Sequence, residues 1–120
     1  YEVIIVDNGS TDDSVSAIKA THPHIILLEE KENHGFAGGC NIGISYALSK
    51  GTDAVCLLNN DTIVAPDFLS AFAERSEKEP HVGILGAKIL MYSDRARLDH
   101  LGGMWNAQRA EFDLIGNRVL

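Results

Sequence analysis

Acidic and amide side chains follow two apolar runs of the sequence, each at the point where the run ends. Asp7 and Asn8 come directly after the apolar residues 3–6. A second cluster, residues 59–61 with the sequence Asn-Asn-Asp, follows residues 54–58. Open α/β sheets bind ligands at the carboxyl ends of their strands, and carboxylate and amide oxygens suit Mg²⁺ or Mn²⁺. The two clusters together predict a site for a nucleotide and a divalent metal ion.

Each candidate motif also has a plainer interpretation. Asn8 and Gly9 form a dipeptide that is frequent in turns, and the serine, threonine and aspartates after it suit the cap of a helix. Residues 59–62 are equally compatible with a capped turn. The glycines of residues 33–43, NHGFAGGCNIG, would let a ligand approach the backbone, yet their spacing matches neither the dinucleotide-binding nor the P-loop pattern. No lysine follows these glycines, which disfavours a P-loop mechanism.

The composition predicts one globular domain and narrows the choice of partners. The chain has 120 residues, of which 45% are hydrophobic, and this is normal for a folded domain. The net charge of −7 disfavours a nucleic-acid partner, which needs a basic surface. A nucleotide diphosphate remains compatible with that charge if a metal ion supplies the positive charge. Cys40 and Cys56 have neither CxxC nor zinc spacing, so both thiols are expected to be reduced.

The elements that must position these clusters alternate between strands and helices. Apolar runs predict strands at residues 1–6, 25–28, 54–58 and 82–90, and helical periodicity predicts helices at residues 11–20, 41–49 and 66–78. This order is typical of an α/β fold with a Rossmann-like, mostly parallel sheet flanked by helices. Residues 33–41 are expected to form a loop, and Gly51 a left-handed helix stop. Residues 98–105 are compatible with a strand or hairpin, whereas residues 111–120 show no firm period.

Three motifs, taken in order, resemble the family 2 glycosyltransferases of the GT-A fold, the nucleotide-diphospho-sugar transferase type. They are VDNGSTDD, NHGFAGGCNIG and LLNNDT, and the resemblance spans residues 3–91. The DNGSTD and GFAGG strings look particularly like the rhamnosyltransferase branch, whose members often use dTDP- or UDP-activated sugars. The resemblance implies an inverting displacement, in which an acceptor hydroxyl attacks the anomeric carbon with help from an aspartate general base. That base belongs to a later motif, and no residue of this chain is assigned to it.

The resemblance also assigns roles by position. Asp7 and Asn8 would lie against the nucleoside, although many relatives carry a second aspartate where this chain has Asn8. Residues 33–41 would border the nucleotide and the donor sugar. Asp61 would bind Mg²⁺ or Mn²⁺, and the cation would neutralise charge on the departing diphosphate. The expected substrate-binding residues are Asp7, Asn8, Ser10, Asn33, Gly38, Gly39, Asn41, Asn59 and Asn60, and the expected metal ligand is Asp61.

The same resemblance predicts how the chain is organised. The 120 residues would form one partial GT-A domain, with residues 1–91 as the nucleotide-sugar-binding half and residues 92–120 as the start of the acceptor side. The acceptor is expected to be a glycan or a lipid-linked glycan, and the location cytoplasmic, at the inner face of the membrane in the full-length protein. Relatives begin one strand earlier, and the sheet edge that this strand would cover is expected to favour pairing between copies of the chain. Without an assigned base, the chain alone is expected to transfer little or no sugar.

Two other classes of function stay open on these residues. A nucleotidyltransferase also uses a Rossmann-like sheet with acids that hold a metal ion, but it usually has a basic, glycine-rich segment after the first strand, and this sequence shows none. A noncatalytic nucleotide-binding or assembly module would keep the motifs as turns. Metal-dependent binding of a nucleotide sugar distinguishes the glycosyltransferase from both.

Overall fold

The chain forms two compact units, Tyr1–Thr62 and Ile63–Leu120, and the structure, a computed structural model, describes residues 1–116. The first unit contains β1 (Ile4–Asn8), α1 (Ser14–Thr21), β2 (Ile26–Glu30) and α2 (Gly35–Ser49). The second contains α3 (Phe68–Lys78), β3 (Ile89–Leu90), β4 (Leu98–His100), β5 (Gly103–Asn106) and β6 (Glu111–Leu114). In the part of the chain that is described, no helix is long and apolar enough to cross a membrane.

A parallel pair of strands organises the first unit. β1 and β2 pair in parallel, with Ile4 opposite Ile26 and Asn8 opposite Glu30. Both strands are rich in isoleucine, valine and leucine, which fit a pleated, partly buried surface. A parallel pair needs a crossover connection, and α1 lies within it. Parallel strands with flanking helices confirm the predicted α/β class, and the register places the polar ends of β1 and β2 side by side.

Helix α1 begins three residues later than predicted, because the acids before it form the preceding turn. Asp12 Oδ1 accepts a hydrogen bond of 3.0 Å from the backbone N–H of Ser14, the first residue of the helix. The Ser14 hydroxyl and then the Ser14 backbone N–H hold the pKa of Asp12 below its ordinary value of 3.8. Asp13, at the cap position, makes no side-chain capping bond. The hydrogen bond to the first residue of the helix therefore comes from Asp12, one residue before the cap position.

The prediction of a loop over residues 33–41 was wrong for most of its length, because α2 begins at Gly35. A Cβ at Gly39 would lie 3.3 Å from Asn8 Nδ2, and one at Gly43 would lie 3.1 Å from Val6 Cγ2. These two glycines are four residues apart, so they share the helix face that packs on β1. A glycine costs about 1 kcal/mol in a helix relative to alanine. Here it permits the close helix–strand approach that a side chain would block.

The end of α2 matches the prediction. Gly51 has φ +79°, its N–H donates to the Leu48 carbonyl, and the Thr52 N–H donates to the Ala47 carbonyl. This pair of bonds is a Schellman motif, which satisfies carbonyls that the helix leaves free. Gly51 is therefore the left-handed stop that the sequence indicated.

Two predicted strands were wrong. Residues 54–58 have no strand structure, and Leu57 and Leu58 remain 56% and 55% exposed. Of residues 82–90, only Ile89–Leu90 form a strand, and it pairs antiparallel with β4. An apolar run becomes a strand only where a neighbouring backbone satisfies its N–H and C=O groups. Parallel pairing is therefore limited to β1 and β2 within the described residues.

The second unit combines one helix with antiparallel strands. α3 ends at Lys78 as predicted, and Lys78 pairs with Glu74 on its exposed side. β5 and β6 form an antiparallel pair in which Gly103 lies opposite Leu114. Residues 98–105, which the sequence left open between a strand and a hairpin, contain β4 and most of β5, and these two strands pair with different partners. The predicted acceptor-side region runs to residue 120, but residues 117–120 lie outside the described part. Both cysteines are free, as expected.

Candidate functional site

The Asn8 side chain lies at the carboxyl end of β1 and connects this strand to the beginning of α2. Its Nδ2 donates hydrogen bonds to Asn33 Oδ1 at 3.1 Å and to the Gly35 carbonyl at 3.0 Å. Its Oδ1 accepts a bond of 2.9 Å from the backbone N–H of His34. Gly39 packs against the same amide. The structure thus brings together three predicted site residues, Asn8, Asn33 and Gly39, around the turn before α2.

The turn at residues 33–35 is also closed from within. Asn33 Oδ1 accepts a second hydrogen bond, of 2.8 Å, from the backbone N–H of Gly35. Gly35 has φ +70°, a conformation that favours glycine. An asparagine that bonds its own backbone two residues ahead is an Asx-turn, and this signal is readable from Asn-x-Gly in the sequence. This turn was not predicted, and His34 and Gly35, which contribute backbone groups to it, were not among the expected site residues.

Asp7 is the buried acid of this strand end. Only 7% of its surface is exposed, and its Oδ2 accepts a bond of 3.2 Å from the backbone N–H of Ser10. A buried carboxylate needs hydrogen-bond donors to offset its desolvation. Among the described residues, Ser10 supplies the only hydrogen bond to it. Asp7 therefore retains acceptor capacity for a ligand N–H or O–H at the end of β1.

His34 and Glu30 form a second polar pair beside Asn8. His34 Nε2 lies 3.3 Å from Glu30 Oε2, and the two side chains are 43% and 32% exposed. Glu30 is the register partner of Asn8 on β2, so the pair lies at the same edge of the sheet. Together with Asp7, this edge of the sheet has two carboxylates, Asp7 and Glu30, beside a single imidazole, that of His34. An anionic diphosphate placed there requires a cation.

The predicted metal ligand, Asp61, lies in an exposed turn together with the predicted substrate-binding residues Asn59 and Asn60. Asn59, Asn60 and Asp61 are all exposed, and the Thr62 hydroxyl donates a 2.7 Å bond to the Asn59 carbonyl. No side-chain hydrogen bond joins this turn to Asn8 within the described residues. Nor do residues 1–116 bring together three or more His, Cys, Asp or Glu side chains that could hold a metal ion. The structure does not join the two predicted clusters into one ligand set.

The exposed oxygen atoms of this turn nevertheless suit a metal ion that is bound jointly by the protein and a nucleotide. Mg²⁺ commonly takes only one or two protein carboxylates and completes its shell with substrate phosphate oxygens and water. Asp61 offers one accessible carboxylate, next to the amide oxygens of Asn59 and Asn60. This set suits a cation that arrives with a nucleotide, and it does not suit a cation held by the protein alone.

Comparison with known proteins decides the family. The family model described as Glycosyl transferase family 2 matches residues 1–116. The chain belongs to glycosyltransferase family 2. Neither the curated proteins nor the solved structures contain a match to this chain. Membership confirms the family prediction, and it implies transfer of a sugar from a nucleotide-sugar donor to an acceptor.

Two further predicted site residues of this family 2 glycosyltransferase lie on α2 and not in a loop. Gly38 is half-buried, and a Cβ there would lie 2.6 Å from the Cβ of His34. Asn41 is exposed on the helix surface. Gly38 thus permits close packing between the first turn of α2 and the residue before it, whereas the Asn41 side chain lies on the exposed surface of the helix.

Proposed function

We propose that this chain binds the donor of a family 2 glycosyltransferase, a dTDP- or UDP-activated sugar, at the carboxyl end of β1. The observation that carries the proposal is Asp7. It is buried at the end of a parallel strand, and it accepts only one described hydrogen bond, from Ser10. The imide N–H of a pyrimidine base is a donor of the kind this carboxylate lacks, and strand ends of open α/β sheets are where such ligands bind.

The other predicted residues take roles around this acid. Asp7 and Ser10 border the nucleoside, next to Asn8 at the end of β1. The turn and helix at residues 33–41 border the nucleotide and the donor sugar through Asn33, Gly38, Gly39 and Asn41. Asn59 and Asn60 lie toward the diphosphate. Residues 1–91 form the donor-binding half, and the acceptor side starts at residue 92.

A divalent cation, Mg²⁺ or Mn²⁺, completes the donor site in this proposal, and Asp61 is the residue that would hold it. When bound, the cation would neutralise charge on the departing diphosphate. The support is the acidic edge formed by Asp7 and Glu30, because a diphosphate without a cation would meet like charge there.

The acceptor and the sugar follow from the family resemblance. The DNGSTD and GFAGG strings favour a rhamnose donor. A hydroxyl of a glycan or lipid-linked acceptor would displace the nucleotide with inversion. We place this reaction in the cytoplasm, at the inner face of the membrane.

Calorimetric titration with UDP- and dTDP-sugars, with and without Mn²⁺, tests the proposal. We expect binding that depends on Mn²⁺ and that weakens about tenfold or more in Asp61→Asn, since one charged ligand to the cation is lost. Asp53→Asn is the matched control, because it also removes an exposed carboxylate from the same unit. Its affinity should stay within about twofold, as an isolated surface charge contributes little.

Two outcomes would favour the other classes of function. Absence of binding by either nucleotide sugar favours a noncatalytic assembly module, in which the motifs are only turns. Preference for a nucleoside triphosphate over the nucleotide sugar favours a nucleotidyltransferase. An equal loss of affinity in Asp61→Asn and Asp53→Asn would remove Asp61 from the metal site.

A further inference from the structure

We infer that Asn8 is a positioning residue, which holds the turn at residues 33–35 against the end of β1 and does not itself contact the nucleoside. Its effect on the binding of a nucleotide sugar rests on the proposed function, because the neighbouring Asp7 is the residue that would contact the nucleotide. Its role in fixing the turn rests on hydrogen bonds of the chain alone.

The amide of Asn8 has few free hydrogen-bonding positions left. An asparagine side chain offers two N–H donors and one oxygen acceptor with two lone pairs. Both N–H groups are used, by Asn33 Oδ1 and by the Gly35 carbonyl. The oxygen already accepts the N–H of His34 at 2.9 Å. A nucleoside that accepted a hydrogen bond from an N–H group of Asn8 would have to break a hydrogen bond that closes the turn.

The neighbours of Asn8 also fix which way its amide points. Asn33 Oδ1 accepts from the backbone N–H of Gly35 at 2.8 Å, and a backbone N–H can only donate. The Asn33 oxygen is therefore assigned by the network. Asn8 Nδ2 then faces two acceptors, Asn33 Oδ1 and the Gly35 carbonyl. Position 8 requires a donor, which an ionised aspartate cannot supply.

Two glycines show how tightly the end of β1 packs against the turn at residues 33–35 and against α2. Gly9 has φ +79°, and a Cβ there would lie 2.8 Å from the carbonyl carbon of Glu32. A Cβ at Gly39 would lie 3.3 Å from Asn8 Nδ2. The backbone after Asn8 and the helix beside it thus close around the amide from two sides. Movement of the strand end that carries Asp7 would disturb both contacts.

The same chemical change at two bonded residues gives a matched test. Asn8→Asp places a carboxylate against two acceptors, whereas Asn33→Asp keeps the oxygen that accepts from Asn8 and from Gly35. We expect Asn8→Asp to raise the equilibrium constant for unfolding about tenfold or more, since two hydrogen bonds are lost and a carboxylate is placed against two acceptor oxygens. Asn33→Asp should change it about twofold or less, because surface charge changes are small. Equal effects of the two variants would overturn the inference.

A spectroscopic measurement on the unmodified chain covers the case in which Asn8→Asp does not fold. In ¹⁵N-labelled chain, the side-chain amide protons of Asn8 should exchange slowly with solvent before any nucleotide is added. On titration with UDP- or dTDP-sugar and Mg²⁺, the Ser10 backbone signal should shift and the Asn8 amide should keep its slow exchange. Fast exchange in the free chain, with protection only after nucleotide addition, would overturn the inference in favour of direct contact.

The two proposals can fail separately in this experiment. If no signal responds to either nucleotide sugar, the proposed function fails. The slow exchange of Asn8 and the contrast between Asn8→Asp and Asn33→Asp still decide the positioning role. If the nucleotide sugar binds and Asn8→Asp weakens its binding while the surface control Asp53→Asn does not, the coupling of the turn to donor binding is supported.

Discussion

The end of β1 and the turn at residues 59–62 look alike in sequence and differ in structure. In each, asparagine and aspartate follow an apolar run. At the end of β1, the Asn8 amide makes three hydrogen bonds to the turn before α2, and Asp7 is buried. In the second region the polar residues are exposed, and one side-chain bond, from Thr62 to Asn59, closes the turn.

The difference shows that the apolar run alone does not order the residues that follow it. β1 has a parallel partner and a helix packed on it, so the position of its last residues is fixed from several sides. Residues 54–58 have no ladder partner among the described residues. A polar cluster becomes a rigid site when long-range contacts hold its backbone, and it otherwise remains a local turn.

The largest expected effect comes from adding one methyl group where the first region is most tightly packed. Gly9→Ala should lower the free energy of unfolding by about 3 kcal/mol, because it combines left-handed strain of roughly 1–2 kcal/mol with overpacking of a similar size. The new Cβ would lie 2.8 Å from a backbone carbon of Glu32, which cannot turn away as a side chain could. Chemical denaturation measures the change.

Gly51→Ala is the control for Gly9→Ala. Gly51 has the same φ of +79°, but nothing lies within 4 Å of a Cβ built there. Only the strain of roughly 1–2 kcal/mol should remain. Equal losses in the two alanine variants would show that the first region is not tightly packed around Gly9.

A smaller effect is expected in the second region. Thr62→Val removes the hydroxyl that donates to the Asn59 carbonyl, in a turn where water can replace the bond. The free energy of unfolding should fall by about 0.5 kcal/mol or less, at the low end for a hydrogen bond. A loss comparable with that of Gly9→Ala would mean that this turn is held as firmly as the end of β1.

The smallest effect concerns pH. The Ser14 hydroxyl and backbone N–H lower the pKa of Asp12 from 3.8, so the folded state favours the ionised acid. A lowered pKa contributes stability that is present above the unfolded value and is lost as pH falls through the folded value. Asp12→Asn should therefore be slightly less stable than the parent chain at neutral pH and equal to it in strong acid.

Denaturation of Asp12→Asn and the parent chain across pH 2–7 measures this difference. A difference in the free energy of unfolding that grows as the pH falls below 3.8 would contradict the lowered pKa of Asp12.

The sequence predicted the elements that depend on local signals. β1, α1, β2 and α3 follow from apolar periodicity with nearby caps and stops, and Gly51 from its place after the helix. The glycines at 35, 38 and 39 were misread as a loop, since glycine disfavours a helix unless close packing requires it. The spacing of Gly39 and Gly43 was the readable sign of such packing.

The sequence named Asn8, Asn33 and Gly39, which the structure brings together, but it did not indicate their contacts. Asn8 donates a hydrogen bond to Asn33, which is 25 residues away in the sequence. No local sequence pattern indicates which polar groups form such long-range hydrogen bonds. For residues 54–58, the apolar run was visible, but a strand depends on a backbone partner that lies elsewhere in the chain. Gly83 and Gly86 similarly weaken the run at residues 82–90, where only the last two residues form a strand.

The central claim is that the buried acid at the end of β1 receives the nucleotide, and Asp7→Asn tests it most directly. The amide keeps an oxygen for the Ser10 N–H but loses the charge, and we expect the affinity for UDP- or dTDP-sugar with Mn²⁺ to fall about tenfold or more, as expected for loss of a hydrogen bond to a charged group. Asp12→Asn, which removes an exposed charge five residues away, should bind as the parent chain does. Unchanged affinity in Asp7→Asn would contradict the account.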